Sequence, residues 1–254
     1  MDLRLGPWTG ELANIGNREA LFQLALRADV VMHTASLHHP DMAWRSEADF
    51  VETNVSGTLN LLEAARAAGV RRFVYTSTTS VYGKAMRSRR GAVWVTEALR
   101  PRPRDIYDRT KLAAEALCKH FALTQGLPAI CLRVARFFQE SPREVALYRG
   151  LDARDGATAH LLAALNESLT FAIFNIAARS PFQLEDTPLL LRDPVAVLRQ
   201  RLPEALDVFA GRGWALPESI DRVYVSERAE RALGFRPNHN FLEHVREVDI
   251  SRLA

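Results

Sequence analysis

The sequence predicts an α/β protein built on a doubly wound parallel sheet. Two observations carry this. Short β-rich apolar runs alternate with helical segments at ordinary spacing, and such alternation implies parallel strands joined by right-handed crossovers. The chain has 254 residues, 48% of them hydrophobic, which suffices for one large domain or a domain plus a small lobe.

The elements follow in order. Residues 29–33, Asp-Val-Val-Met-His, read as a short buried strand. In residues 50–68, Phe50, Val51, Val55, Leu59, Leu62, Ala65 and Ala68 recur at helical spacing. Gly69 stands where a helix C-terminus favours a residue tolerant of positive φ. Residues 71–77, Arg-Arg-Phe-Val-Tyr-Thr-Ser, form the next strand. Residues 84–104, rich in Gly, Pro and Arg, read as a loop. A long helix over 106–124 is stopped by Gly126-Leu127-Pro128. Residues 129–134, Ala-Ile-Cys-Leu-Arg-Val, are another strand, and Phe171 to Ala178 holds a further one. Beyond 180 the chain is rich in Pro and Arg, with short helices. The expected layout is a sheet domain over 1–180 and a small lobe packed on it over 181–254.

Composition excludes several classes. No stretch approaches ~20 consecutive apolar residues, so no membrane span is expected. The first five residues, Met1 to Leu5, carry no signal-peptide core, and a cytoplasmic location is expected. Cys118 and Cys131 lack any partner pattern and read as small buried hydrophobes, which fits a reducing compartment. Net charge is +3. Lys84, Arg87, Arg89, Arg90, Arg100, Arg102 and Arg104 form a basic cluster: a solvated surface loop, or an attractor for an anionic substrate such as a nucleotide or sugar phosphate. No nucleic-acid motif accompanies it.

The chemistry-bearing segment is Tyr107-Asp-Arg-Thr-Lys111. On a helix, residues four apart share a face. A Tyr with a reference pKa near ~10 is a poor base at neutral pH, and bringing it to ~7 needs roughly 4 kcal/mol of differential stabilisation. An ammonium one turn away favours the phenolate and supplies part of it. The strand before this helix ends in Thr76-Ser77-Thr78-Thr79-Ser80-Val81-Tyr82-Gly83. Hydroxyls at the carboxyl end of a parallel strand lie where α/β proteins bind ligands. One of them can hydrogen-bond a substrate oxygen and share a proton with Tyr107.

In these features the chain resembles the extended short-chain dehydrogenase/reductases, the NAD-dependent epimerase/dehydratase group that includes UDP-galactose 4-epimerase. Val30 to Ser36 resembles the strand and turn lining the cofactor. Asn54-Val-Ser-Gly-Thr58 resembles the Asn-Val-x-Gly-Thr helix. Thr76 to Gly83 resembles the hydroxyl-rich strand end, and Tyr107 with Lys111 the catalytic pair. Val225 to Ala229 and Leu233 to Pro237 resemble a C-terminal signature, and Asp155 with Ala159-His160 an Asp-x-x-x-Ala-His motif.

The resemblance implies a Rossmann-like fold and a role for each matched residue. Tyr107 would exchange a proton with the substrate hydroxyl or carbonyl. Lys111 would lower its pKa, helped by a nicotinamide cation, and bind the nicotinamide ribose. Thr78 would orient the substrate. Thr34, Ala35, Ser36 and Asn54 would line the cofactor. Asp2 would bind the adenosine ribose hydroxyls, favouring NAD over NADP. Glu11 and Leu12 would lie near the adenine, with Glu where the family has Asp. The implied substrate is a nucleotide sugar or related alcohol, and the implied assembly a homodimer through long helices such as 106–124.

Plainer readings stand beside these. His33, at the end of an apolar strand, fits a satisfied core histidine. His38 and His39 point to opposite sides of an extended segment, and no ligand set completes a metal site. Asn54 could simply tie its helix to a loop, and Thr78 could be an ordinary strand-end hydroxyl. Phe137 and Phe138 fit packing.

Two family features are missing. The family opens with a strand, a Gly-x-x-Gly-x-x-Gly turn and a helix, whose N–H groups meet the pyrophosphate. Gly6, Gly10 and Gly16 have another spacing and no preceding strand. The expectation is an N-terminally truncated fold, short of one βαβ unit of ~30 residues, with the 29–33 strand lacking a neighbour. A second gap follows Phe138, where only a short stretch beginning Gln-Glu-Ser-Pro-Arg precedes Tyr148-Arg149-Gly150. Three readings follow: an NAD-dependent epimerase, dehydratase or dehydrogenase on a nucleotide sugar; a non-catalytic degenerate paralogue or fragment; or a steroid- or flavonoid-type dehydrogenase.

Overall fold

In the computed structural model, residues 1–138 and 145–246 are described. The elements in chain order are α1 (Arg18–Ala25), β1 (Val30–His33), α2 (Glu47–Val51), α3 (Gly57–Ala67), β2 (Arg72–Thr78), β3 (Val93–Val95), α4 (Ile106–Thr124), β4 (Ala129–Val134), β5 (Arg136–Phe137), α5 (Ala146–Arg149), β6 (Gly150–Leu151), α6 (Ala153–Leu165), β7 (Phe171–Ile176), α7 (Thr187–Leu190), α8 (Pro194–Arg201), α9 (Pro203–Gly211), β8 (Arg222–Tyr224) and α10 (Glu227–Leu233). The second gap expected after Phe138 falls outside the described residues. Among the described residues, no helix is long and apolar enough to cross a membrane.

A central sheet runs in the order β1-β2-β4-β7. β1 and β2 pair in parallel, with Val30 opposite Arg72 and His33 opposite Tyr75. Helices make the crossovers, α2 and α3 between β1 and β2, then α4 between β2 and β4. This is the Rossmann-like α/β class the sequence predicts. Residues 129–133 of β4 are all buried, as strands covered on both faces require. β1 stands at the sheet's end, with Met32 45% exposed. Among the described residues no strand pairs with its outer edge.

The chain divides into two compact units. The first holds Met1–Val81, Pro103–Arg133 and His160–Ile173, and the second Tyr82–Arg102, Val134–Ala159 and Phe174–Ala254. The sequence reading expects consecutive segments, but these units interleave. The reason is strand pairing over long chain distances. The region expected to be a loop contains β3, which pairs in parallel with β8, Val93 opposite Arg222. β5 likewise pairs with β6.

The first unit packs Leu21, Leu61, Leu62, Phe73, Tyr75, Ala114, Cys118, Phe121 and Cys131 into one core. Both cysteines are free and buried, as small core residues. The second unit has its own core around Phe138, Leu147, Phe182, Leu198, Phe209, Val223 and Phe241. Phe138 is thus packing, as its plainer reading holds.

Two local details set the register of the first unit. α2 and α3 are joined by a wider helical turn at Glu52–Ser56, which contains Asn54. Gly57 follows because a Cβ there would stand 2.9 Å from the Ile15 side chain. Gly69, with φ of 73°, then turns the chain out of α3 at the position the sequence marks.

Beneath the sheet end lies a buried ion pair. Arg133 donates from Nε and Nη2 to the two Glu115 oxygens at 2.9 and 2.7 Å. Ser77 Oγ donates to Glu115 Oε1 at 2.6 Å. Their side chains are only 6% and 4% exposed. Removing one partner strands the other's charge in a low-dielectric interior. Arg133→Met is therefore expected to cost about 3–5 kcal/mol, read as a lower denaturation midpoint in guanidinium. A loss under 1 kcal/mol would contradict this picture of the pair.

Candidate active site

The site forms where β2 ends and α4 begins. Asp105 caps α4, its side chain accepting from the Asp108 N–H at 2.9 Å. The cap fixes the helix's first turn, and its 3.6-residue period then lines up Tyr107, Lys111 and Glu115 on one face. All three are buried. β2 offers Thr76, Ser77 and Thr78 in succession, and because strand side chains alternate, Ser77 turns to Glu115 while Thr76 takes the opposite face. There Thr76 Oγ1 meets His160 Nε2 of α6 at 2.7 Å.

The Thr78 hydroxyl stands beside the Tyr107 phenol and favours its phenolate form. Lys111 Nζ donates to the Thr76 carbonyl at 2.6 Å and to Ser36 Oγ at 3.4 Å. It also lies 4.4 Å from the centre of the Tyr75 ring. Asn54 closes the group from the side. Its Oδ1 accepts from Leu37 N–H at 2.7 Å and Ser36 Oγ at 3.1 Å. Its Nδ2 donates to the Leu37 carbonyl at 3.0 Å and to Thr110 Oγ1 at 3.1 Å. The amide's four hydrogen-bonding positions are all used. Asn54 thus ties its own helix to the 36–37 loop, as its plainer reading holds, and to α4 as well. Wide helical turns of this kind recur at functional sites.

The structure brings Tyr107, Lys111, Thr78, Ser36 and Asn54 together. Thr34 and Ala35 extend from the end of β1 and are exposed. Asp2, Glu11 and Leu12 meet one another instead. Asp2 and Leu12 form a parallel bridge, and the Asp2 N–H donates to the Glu11 carbonyl at 3.2 Å. All three are exposed. His33 is a core histidine: its Nε2 lies 2.9 Å from Thr58 Oγ1, and burial with the nearby Lys111 charge pushes its pKa down to about 3. His38 stacks obliquely on the Tyr107 ring, centres 6.0 Å apart. The basic cluster at 84–104 is exposed at every arginine.

The electrostatics depart from the sequence expectation. Burial pushes the Tyr107 phenol up to about 12; the Thr78 hydrogen bond pulls it back, and the Asp108 and Asp105 carboxylates push it further. The expected lowering by Lys111 does not prevail here, because burial is the largest influence on the phenol. Lys111 itself is pushed down to about 8 by burial, with Glu115 pulling it back.

Sequence reasoning passed over several neighbours. Asp108 is wholly buried beside Tyr107. Its Oδ1 accepts from Ser80 Oγ at 2.6 Å, and its Oδ2 from Arg104 N and Nε at 3.1 and 3.2 Å. Ser80 was visible as part of the hydroxyl run, but nothing in one sequence marks Asp108 as buried. The sequence shows His160 only as part of a motif, and its place beside Thr76, like that of Glu115 beside Ser77, needed the fold to reveal it.

Comparison with known proteins follows the same residues. Residues 6–146, more than half of the chain, match the NAD dependent epimerase/dehydratase family. The chain belongs to that family. Over 106 residues it is 38% identical to a GDP-6-deoxy-D-mannose reductase of Pseudomonas aeruginosa, covering 41% of this chain and 34% of that protein. It is 33% identical over 125 residues to a UDP-glucose 4-epimerase of Rhizobium meliloti, covering 48% of this chain and 37% of that protein. The matches thus span between a third and two fifths of these relatives' lengths. A short-chain dehydrogenase/reductase superfamily protein from Agrobacterium tumefaciens, solved with bound NAD, shares the fold at a TM-score of 0.72 and 21% identity. That match covers 99% of this chain and 88% of the other.

The depressed Lys111 carries a testable sign. Its folded pKa of about 8 lies below the unfolded value near ~10.4. The unfolded chain therefore binds more protons between pH 8 and 10, and stability rises with pH across that window. Lys111→Met should abolish this rise in denaturation midpoints measured from pH 7 to 10. An unchanged slope would show that Lys111 is not the group responsible.

Proposed function

We propose that this chain carries the acid–base half of an NAD-dependent epimerase, dehydratase or reductase acting on a nucleotide sugar. The observation that carries this is the cluster at the β2–α4 junction, with the Thr78 hydroxyl beside the Tyr107 phenol and the Lys111 ammonium one turn along. Family membership supports the reaction class, and the names of its relatives support the substrate class.

The donor set suits the nicotinamide end of the cofactor. Lys111 carries three N–H donors, of which the Thr76 carbonyl and Ser36 take two. The third is free to serve a ribose hydroxyl. Thr34, Ala35 and Ser36 supply the adjoining wall, and Asn54 holds Ser36 in place. Asp2, Glu11 and Leu12 would serve the adenosine end, and Asp2 favours NAD over NADP.

When bound, the nicotinamide supplies the hydride acceptor and donor. The protein's residues handle the proton. Tyr107 takes it from the substrate oxygen as a carbinol is oxidised and returns it as a carbonyl is reduced. Thr78 hydrogen-bonds the same oxygen and fixes it near the phenol. Lys111 holds positive charge within one helical turn, so the charge swing at Tyr107 meets a fixed counter-charge rather than reorganising water. Burial of Tyr107 and Lys111 limits solvent access to the exchange.

The test is turnover of UDP-glucose or a GDP-linked 4-keto sugar with NAD(H), followed by product chromatography. Positioned proton transfer contributes typically 10²–10⁴-fold, so Tyr107→Phe should lower turnover by about that factor. Full turnover in Tyr107→Phe would refute the acid–base assignment. A folded parent inactive on both sugars would refute the substrate class.

A further inference from the structure

One stretch of the second unit carries a charge imbalance that the site's chemistry does not use. Lys84, Arg87, Arg89, Arg90, Arg100 and Arg102 stand within residues 84–102, where Glu97 is the single acid. The stretch is therefore net +5, and the rest of the chain is −2 against a total of +3. All six cations are exposed.

The backbone between them is pinned. Its two ends lie side by side, because Gly83 and Arg102 form a parallel bridge. The Lys84 N–H donates to the Arg102 carbonyl at 2.8 Å, and the Arg102 N–H to the Tyr82 carbonyl at 3.2 Å. Met86 is buried, with Arg222 Nη1 donating to its Sδ at 3.4 Å. The Ala92 N–H donates to the Thr187 carbonyl at 2.7 Å, and β3 pairs with β8. Two cationic arms, 84–90 and 100–102, are thus held on one frame.

The acids nearest this frame are committed elsewhere. Glu97 Oε1 accepts from the Asn175 N–H at 2.8 Å. The Asp221 carbonyl accepts from the Val93 N–H, but its carboxylate is held by Arg222 Nε at 2.9 Å. Glu185 and Asp186, just before Thr187, are both held by Arg201 at 2.9 Å. Among the described residues no acid pairs with any of the six cations. An ordinary solvated surface intersperses both signs; this one carries a single sign. Five of the six are arginines, whose weakly hydrated planar forks match phosphate oxygens two at a time.

We propose that these six cations form a capture surface for phosphate-bearing ligands, which draws in the diphosphate of a nucleotide-linked substrate by its field. The choice of a diphosphate rests on the substrate class proposed above. A single-signed surface raises the local concentration of counter-ions and their rate of encounter. The six side chains hold no fixed partner, so the surface acts on the rate of capture rather than through one docked geometry. Nucleic acid fits less well, because base stacking needs presented aromatic rings. Trp94, the one aromatic of the stretch, packs on the second unit's core.

The test is stopped-flow association of fluorophore-labelled UDP with the full chain, at about 10 and 300 mM salt, where the field is respectively long-ranged and screened. The parent's association rate should fall at least tenfold between the two. The triple variant Arg87→Glu, Arg89→Glu, Arg90→Glu should associate at least tenfold more slowly at low salt. Its dissociation rate should stay within twofold of the parent's, and the two proteins should converge at high salt. Arg100→Glu with Arg102→Glu should act in the same direction from the other arm. Labelled uridine, which lacks phosphate, should show none of these changes. No UDP association by the folded parent, unchanged rates in both variants, or equal losses for uridine would overturn the proposal. So would charge-dependent binding of a single-stranded oligonucleotide with UDP unaffected, which would make this a nucleic-acid surface. Charge-dependent UDP capture by a parent inactive on both sugars would sink the substrate reading and keep the capture surface. Turnover with unchanged capture rates would do the reverse.

Discussion

The hydrogen bond from the Lys111 ammonium to the Thr76 carbonyl is the contact on which the site depends. It joins the first turns of α4 to the last residues of β2 in a region almost closed to water. A buried ammonium costs several kcal/mol unless it is paired and hydrogen-bonded. The fold meets that cost with a carbonyl, a Ser36 hydroxyl, the face of Tyr75 and the Glu115 charge one turn further on. Each of these partners also has a second task. Ser36 is held by Asn54, and Glu115 is held by Arg133 and Ser77. Orientation of the ammonium is thereby linked to the packing of α3, β4 and the 36–37 loop.

The same burial sets two opposing tendencies on one helix face. It disfavours the charged form of both groups, moving the phenol up and the ammonium down. The two residues read from the sequence as a mutually tuned pair are therefore tuned first by their surroundings. Spacing alone suggested that Lys111 acts on Tyr107 directly. The geometry gives that ammonium a backbone acceptor, and gives the phenol the Thr78 hydroxyl and the buried Asp108 as neighbours. The pair keeps its place in the account, but its immediate electrostatic partners change.

Much of the fold was legible in the sequence. Helix 106–124 was bounded by Gly126-Leu127-Pro128 and the strand 129–134 by its apolar run, because both signals are local and strong. The Tyr107–Lys111 spacing and the hydroxyl run after Tyr75 located the site. Other features were hidden because they depend on distant pairing. β3 lies in a segment whose composition reads as loop, and becomes a strand only through its partner β8. Asp108 looks like a solvated helix residue until Ser80 and Arg104 close over it. The units interleave for the same reason, since chain order does not reveal which strands meet.

The account makes the β2–α4 junction a preformed seat for the nicotinamide end of the cofactor. Calorimetric titration of NADH into the folded full chain, beside Lys111→Met, tests this most directly. The account predicts saturable binding by the parent, weakened at least tenfold in Lys111→Met while the variant remains folded. Absence of saturable binding by a folded parent, or equal affinity in the two proteins, would contradict it.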